Sequence, residues 1–99
     1  MKRRLRILPE AEAEFKEAIS WYANQKKGLG KKFTQAIRAK IKSIQKTPTM
    51  HAIVKEDVRK ATMRDFPYVI PYFLTSEEIV IVAVFHVNRD PQEWQSRIE

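Results

Sequence analysis

Two helices followed by a run of strands, in the order β-α-α-β-β-β(-β), place this chain in the α+β class, with a helical hairpin packed on one face of a mainly antiparallel sheet. Three observations lead there. Two apolar stripes with helical spacing lie side by side between residues 9 and 47. Both glycines of the chain fall between them. Past residue 50 the apolar residues change to alternation or to unbroken β-branched runs, the patterns of half-buried and fully covered strands.

Residues 3 to 8, "RRLRIL", alternate Leu5 and Ile7 with Arg4 and Arg6, the period of a strand. Pro9 suits the first turn of a helix, where its missing N–H costs nothing. In that helix Ala11, Phe15, Ala18, Ile19 and Tyr22 form one stripe, and Glu10, Glu12 and Glu14 complement the positive end of the helix dipole. "KKGLG" at 26 to 30 ends it in a tight turn. The second helix carries Leu29, Phe33, Ile37, Ile41 and Ile44 on its apolar side and stops at Thr47-Pro48. From Leu29 to Thr47 it contains no acid, yet it holds Lys31, Lys32, Arg38, Lys40, Lys42 and Lys46.

Four strands are predicted next, at His51 to Lys55, Asp57 to Met63, Phe66 to Leu74 and Glu78 to His86. "TSEE" at 75 to 78 joins the last two as a hairpin loop. "IVIVAVF", 79 to 85, does not alternate and reads as a central strand covered on both faces. In "FPYVIPYFL", 66 to 74, Tyr68, Ile70, Tyr72 and Leu74 share one face, while Val69 and Phe73 share the other. Pro71 cannot donate to a ladder, so a bulge or a missing bond is expected there. A turn at Asp90-Pro91 and one helical turn between Gln92 and Ile98 close the chain. The sheet face away from the helices is expected to be the more open one.

A chain of 99 residues leaves room for a single domain, 1–99. Its net charge of +7 favours a negatively charged partner: nucleic acid, an anionic surface or an acidic protein. The absence of cysteine excludes disulfides and thiolate chemistry and fits a reducing cytoplasm. Met1-Lys2-Arg3-Arg4 starts like a signal peptide, but Pro9 and four glutamates follow instead of an apolar segment. The longest apolar run has seven residues, too few to span a bilayer, so no membrane association is expected. His51 and His86 stand far apart in sequence, and no metal site is expected.

Three stretches carry a resemblance: "SWYANQKKGLGKKF", "VRKATMRDFPYVIPYFL" and "IVIVAVFHVNRDPQEWQSR". Taken in order, WY…GLG…F, then FPY, then H-x-x-R-D-P-x-x-W resemble the ParE/RelE toxin superfamily, the plasmid stabilisation toxins of bacterial toxin–antitoxin modules. The resemblance runs from Pro9 to Arg97. It implies the same fold, no cofactor, and a cognate antitoxin that forms a hetero-oligomer with a monomeric or dimeric toxin. It also implies one of two activities. RelE-like members cleave mRNA on the ribosome, while ParE-like members poison DNA gyrase.

Metal-independent RNA cleavage needs a base, cations for the phosphorane charge and an acid for the leaving oxygen. Where RelE-like nucleases read Gly-Tyr-Arg, this chain reads Pro67-Tyr68-Val69, and valine can neither bind phosphate nor move a proton. "FPY" is the ParE-like form, so a gyrase inhibitor is expected. The rivals are a ribonuclease using His86, Arg89, Arg59, Lys55 and Arg64, and a non-toxic member that keeps only antitoxin binding. Arg89, Trp94 and Arg97 near the carboxyl end are the expected target contacts, although Trp94 fits a packing anchor better than a base-stacking platform, and "NRDP" fits a turn in which Asp90 caps the terminal segment and pairs with Arg89. The acid-free helix and the apolar sheet face supply the expected antitoxin contacts, Lys31 and Arg38 for carboxylates and Tyr68 and Tyr72 for apolar groups.

Overall fold

The computed structural model describes residues 3–98. Strand β1 (Arg4–Ile7) leads into α1 (Pro9–Gln25) and α2 (Leu29–Lys46). Strands β2 (Ile53–Lys55), β3 (Val58–Thr62), β4 (Tyr68–Leu74), β5 (Glu78–Ile81) and β6 (Phe85–His86) follow. A short helix α3 (Gln92–Gln95) and a 3₁₀ turn (Ser96–Ile98) end the described chain. The strand order is β1-β5-β4-β3-β2, with β6 also pairing β4. All pairs are antiparallel except β1 with β5, so the sheet is mixed at one edge.

The predicted alternation of β4 decides how the layers form. Ile70 and Tyr72 are buried beneath the hairpin together with Phe33, Ile37, Ile44 and Ala18, and Tyr68 and Leu74 pack against the same cluster. Tyr22, Phe33, Phe66 and Tyr68 make the joint between helices and sheet, with ring centroids 4.9 to 5.1 Å apart for Tyr22–Phe33, Tyr22–Phe66, Phe33–Phe66 and Phe33–Tyr68. Stacked and edge-on aromatic pairs of this kind add roughly 0.5–1.5 kcal/mol each beyond their burial. The opposite face carries Val69 and Phe73, and it is not open. Val58, Val69, Val82, Ala83, Phe85 and Trp94 form a second buried cluster there, closed by Ile98. The short carboxyl-terminal segment, predicted only as a helical turn, is therefore a third layer over half of the sheet.

The two glycines have different jobs, where the sequence pattern assigned both to the turn. Gly28 has φ +84° and makes the left-handed turn between the helices. Gly30 lies inside α2, and a Cβ there would stand 2.9 Å from Ala23 Cβ and 3.0 Å from the Ile19 carbonyl oxygen. It is glycine because the two helices touch at that point.

Pro71 behaves as expected on one side only. The β3–β4 register runs without a shift through Lys60↔Pro71. On the other side the strand predicted from Glu78 to His86 breaks in two. Tyr72 pairs with Ile81 and Val69 with Phe85, so Ile70 and Pro71 face three residues, Val82, Ala83 and Val84. That is a one-residue bulge. The Pro71 carbonyl accepts the Val82 N–H at 2.9 Å, which places the missing proline donor on this same side. The other boundaries are shorter than predicted: β2 starts at Ile53 rather than His51, β3 spans Val58–Thr62, and β4 starts at Tyr68. The hairpin at Thr75 joins β4 and β5 as expected, and its side-chain hydroxyl accepts the N–H groups of Glu77 and Glu78. Met1 and Lys2, the start of the signal-like stretch, lie outside the described residues.

Candidate binding surface around the last strand

The bulge turns the chain so that His86 and Arg89 stand between two clefts. One, of about 450 Å³, lies between α1 and β4 and is lined by Glu14, Glu17, Trp21, Tyr68, His86 and Arg89, among others. The other, of about 200 Å³, opens on the opposite sheet face beside Val54, Lys60, Val69, Val87 and Trp94, and shares His86 and Arg89. Trp21 is 56% exposed on the wall of the first cleft, and Val87 and Val54 are 52% and 45% exposed at the second. Large apolar side chains left in water beside a cationic group are common features of a protein-binding surface.

Glu14 organises this region, and the sequence reading credited it only with a helix-dipole role. Its carboxylate accepts two hydrogen bonds from Arg97, at 2.9 and 2.8 Å, and one from the Val84 N–H at 3.2 Å. Arg89 reaches it at 3.5 Å. The Glu14 and Arg97 side chains are only 11% and 14% exposed, and Arg97 also donates to the Val82 carbonyl at 3.1 Å. The bond to Glu14 raises the Arg97 pKa further, although burial opposes it, so the guanidinium is permanently charged. This pair ties the carboxyl-terminal segment to α1 and satisfies the bulge's loose backbone groups. A signal existed: Glu14 follows Ala11 by three residues and precedes Ala18 by four, so it sits beside the apolar stripe, where an acid needs a partner.

The predicted target contacts separate into one presented side chain and two supports. Arg89 is half exposed, its guanidinium carbon 4.6 Å from the centre of the Phe85 ring, and it pairs with Glu14 and Glu93. It does not pair with Asp90, but the Asp90 carboxylate accepts the Gln92 N–H at 3.0 Å and so caps the terminal segment as expected. Trp94 is 3% exposed and is a packing anchor over Val69 and Phe85, with no surface to offer a target. Arg97 is occupied by Glu14.

Of the residues that a ribonuclease would need, His86 and Arg89 stand together at the two clefts, whereas Lys55, Arg59 and Arg64 lie apart from them. Lys55 reaches Gln95 on the covered sheet face. Arg59 lies one residue out of phase with buried Val58 and donates to the carbonyls of Thr49 and His51, at 3.1 and 2.6 Å. Arg64 stands in the β3–β4 loop, beside Lys40 and Ser43 of α2. His86 accepts the Asn88 N–H on Nδ1 at 3.0 Å, and its ring meets Tyr68 edge-on at 5.2 Å. Val69, at the position of the nuclease arginine, is 7% exposed under Trp94.

Of the expected antitoxin contacts, Lys31 and Arg38 are exposed on α2, and Tyr68 is half-buried at the first cleft. Tyr72 is a correction. It is fully buried and donates its hydroxyl to the Pro48 carbonyl at 2.7 Å, tying β4 to the end of α2. Burial raises its pKa.

The overall fold is shared with a solved structure. A solved chain described as the chromosomal ParDE TA system from P. aeruginosa superposes with a TM-score of 0.75 over 88% of this chain and 98% of its own, at 22% identity. That similarity establishes the fold. Residues 5–91 match the family described as the ParE toxin of type II toxin–antitoxin systems, parDE, and the chain belongs to that family. Proteins named Toxin ParE2 from two strains of Mycobacterium tuberculosis are 30% identical over 99 residues, covering 99% of this chain and 94% of each relative.

Proposed function

We propose that this toxin acts by binding rather than by chemistry, that its target is DNA gyrase, and that a cognate antitoxin holds it inactive in the cytoplasm. The position of Val69 carries the reading. A nuclease arginine at this site would need access to RNA, and here the site holds an apolar side chain beneath Trp94. Losing one well-placed donor typically costs on the order of 10²–10³ in rate. The scattered placement of Lys55, Arg59 and Arg64 points the same way, and membership of the ParE family supports gyrase as the target. Arg89 is the presented cation at the target surface, and Trp94 and Arg97 hold that surface in place.

The antitoxin reading places apolar antitoxin side chains in the cleft of Trp21 and Tyr68. Lys31 and Arg38 speed its approach through the net positive field, so association weakens as salt rises. Two experiments test this reading. Co-expression with the product of the adjacent reading frame should yield a stable complex at low salt. Programmed ribosomes incubated with the toxin should keep their mRNA intact. Codon-specific cleavage that disappears in His86→Ala or Arg89→Ala would replace the binding reading with the ribonuclease one.

A further inference from the structure

The first turn of α2 breaks the electrostatic rule that the first turn of α1 keeps. The first turn of α1 carries Glu10 and Glu12, and Lys16 pairs with Glu12 at 3.5 Å. The first turn of α2 has no acid and no side-chain cap, and Lys31 and Lys32 stand at its positive end. Cations there oppose the helix dipole. Arg38, Lys42 and Lys46 follow at spacings of four, which sets like charges side by side on one helix face. Lys31, Gln35, Arg38, Lys42 and Lys46 share that face, and all are exposed. Among the described residues none of these cations has a carboxylate within 4.0 Å, while six ion pairs form elsewhere, on β1, on α1 and around Arg89 and Arg97. A sequence that pairs its charges elsewhere leaves this stripe unpaired at a cost to the helix.

We infer that the outer face of α2 is a docking surface for the phosphate backbone of duplex DNA. The stripe from Lys31 to Lys46 is about 22 Å long at 1.5 Å per residue, roughly six base pairs of duplex. Its residue types decide between the two anionic partners. Protein interfaces use aromatic and apolar anchors and disfavour lysine at their centre. The large exposed apolar residues here are Leu5, Trp21, Met50, Ile53, Val54 and Val87, and none lies on α2. The exposed apolar anchors and the unpaired cationic stripe are thus separated on the molecule. Lysine, arginine and glutamine without apolar anchors suit sequence-independent backbone contact. A toxin carrying such a face can hold DNA with α2 while its clefts engage a protein.

The test uses toxin released from its antitoxin complex and a fluorescent duplex of arbitrary sequence, with no gyrase present, so its outcome is independent of the target proposed above. Binding should be detectable at low salt, with log affinity falling against log salt at a slope near −4, about a hundredfold loss between roughly 50 and 200 mM. Replacing Lys31, Arg38, Lys42 and Lys46 together by Gln should flatten that slope by about one per residue removed. The control variant Arg3→Gln, Arg4→Gln, Arg6→Gln, which removes three positive charges elsewhere, should change it far less. Single Arg38→Gln provides the same reading at smaller amplitude if the quadruple variant unfolds. Equal loss in the Arg3, Arg4, Arg6 variant, or no binding by the wild type at low salt, would overturn the inference. Unchanged DNA binding with lost antitoxin affinity would also overturn it and make α2 a protein interface.

Discussion

At the residue scale, one carboxylate holds the working surface together. Glu14 satisfies Arg97, Arg89 and the Val84 N–H at once, so removing it strands a mostly buried guanidinium. Loss of one partner from such a pair is far more damaging than the pair's net worth. Glu14→Ala should therefore destabilise the fold by roughly 2–4 kcal/mol, seen as a lower denaturant midpoint, and Arg97→Ala by a similar amount. The double variant should cost much less than the sum of the two. His51 makes a pH-dependent prediction. Burial, reinforced by Lys40 and Arg59, lowers its pKa below the ordinary histidine value, and its buried Nε2 has no partner. The unfolded chain then takes up the proton first. Stability from this group is complete above about pH 6.5 and falls as pH drops through that value toward the lowered one. Melting temperatures between about pH 7.5 and 5.5 should fall more for the wild type than for His51→Asn, and equal slopes would contradict the assignment.

At the element scale, the two glycines give a sharp comparison. Gly30→Ala pushes a methyl group into the Ile19 carbonyl and Ala23, forcing α1 and α2 apart, and should cost about 1–3 kcal/mol or more. Gly28→Ala meets nothing within 4 Å and suffers only from its positive φ, a cost of about 1–2 kcal/mol. Urea unfolding of the two variants should rank Gly30→Ala as the less stable; the reverse order would mean that the helices do not meet at Gly30. These elements also show what the sequence could reveal. Helical spacing located α1 and α2 nearly to the residue, and alternation sorted Tyr68, Ile70 and Tyr72 from Val69 and Phe73. The break between β5 and β6 was hidden, because an all-apolar run reads as continuous strand whether or not its ladder does. Pro71 was the visible clue, but periodicity could not say on which side its missing donor would fall. The burial of Tyr72 was hidden for a related reason: alternation assigns a face but cannot tell which layer covers it.

At the scale of the whole molecule, charge and apolar surface are distributed unevenly, and that distribution governs the functional account. The acids that form ion pairs are on α1, in the β4–β5 hairpin and beside Arg89, whereas among the described residues the α2 cations have no carboxylate partner. The carboxyl-terminal segment covers the sheet face on which a nuclease would work, fastened by Trp94 inside and Arg97 at the edge. The sequence offered the helical turn and Trp94 as a packing anchor, but which sheet face they cover could not be read, since four residues of helix have no periodicity to assign a face. Trp94→Ala should open that face, destabilise the protein by about 3–5 kcal/mol, and weaken target inhibition even where the fold survives at low temperature. The most direct measurement of the central claim is gyrase assayed on plasmid DNA with the purified toxin, alone and with its antitoxin. A binding toxin directed at gyrase should inhibit supercoiling and accumulate cleaved DNA that is released when the proteins are removed, with Arg89→Ala impaired and the antitoxin abolishing the effect. Unimpaired supercoiling with no cleaved DNA, at toxin concentrations well above those of the enzyme, would contradict it.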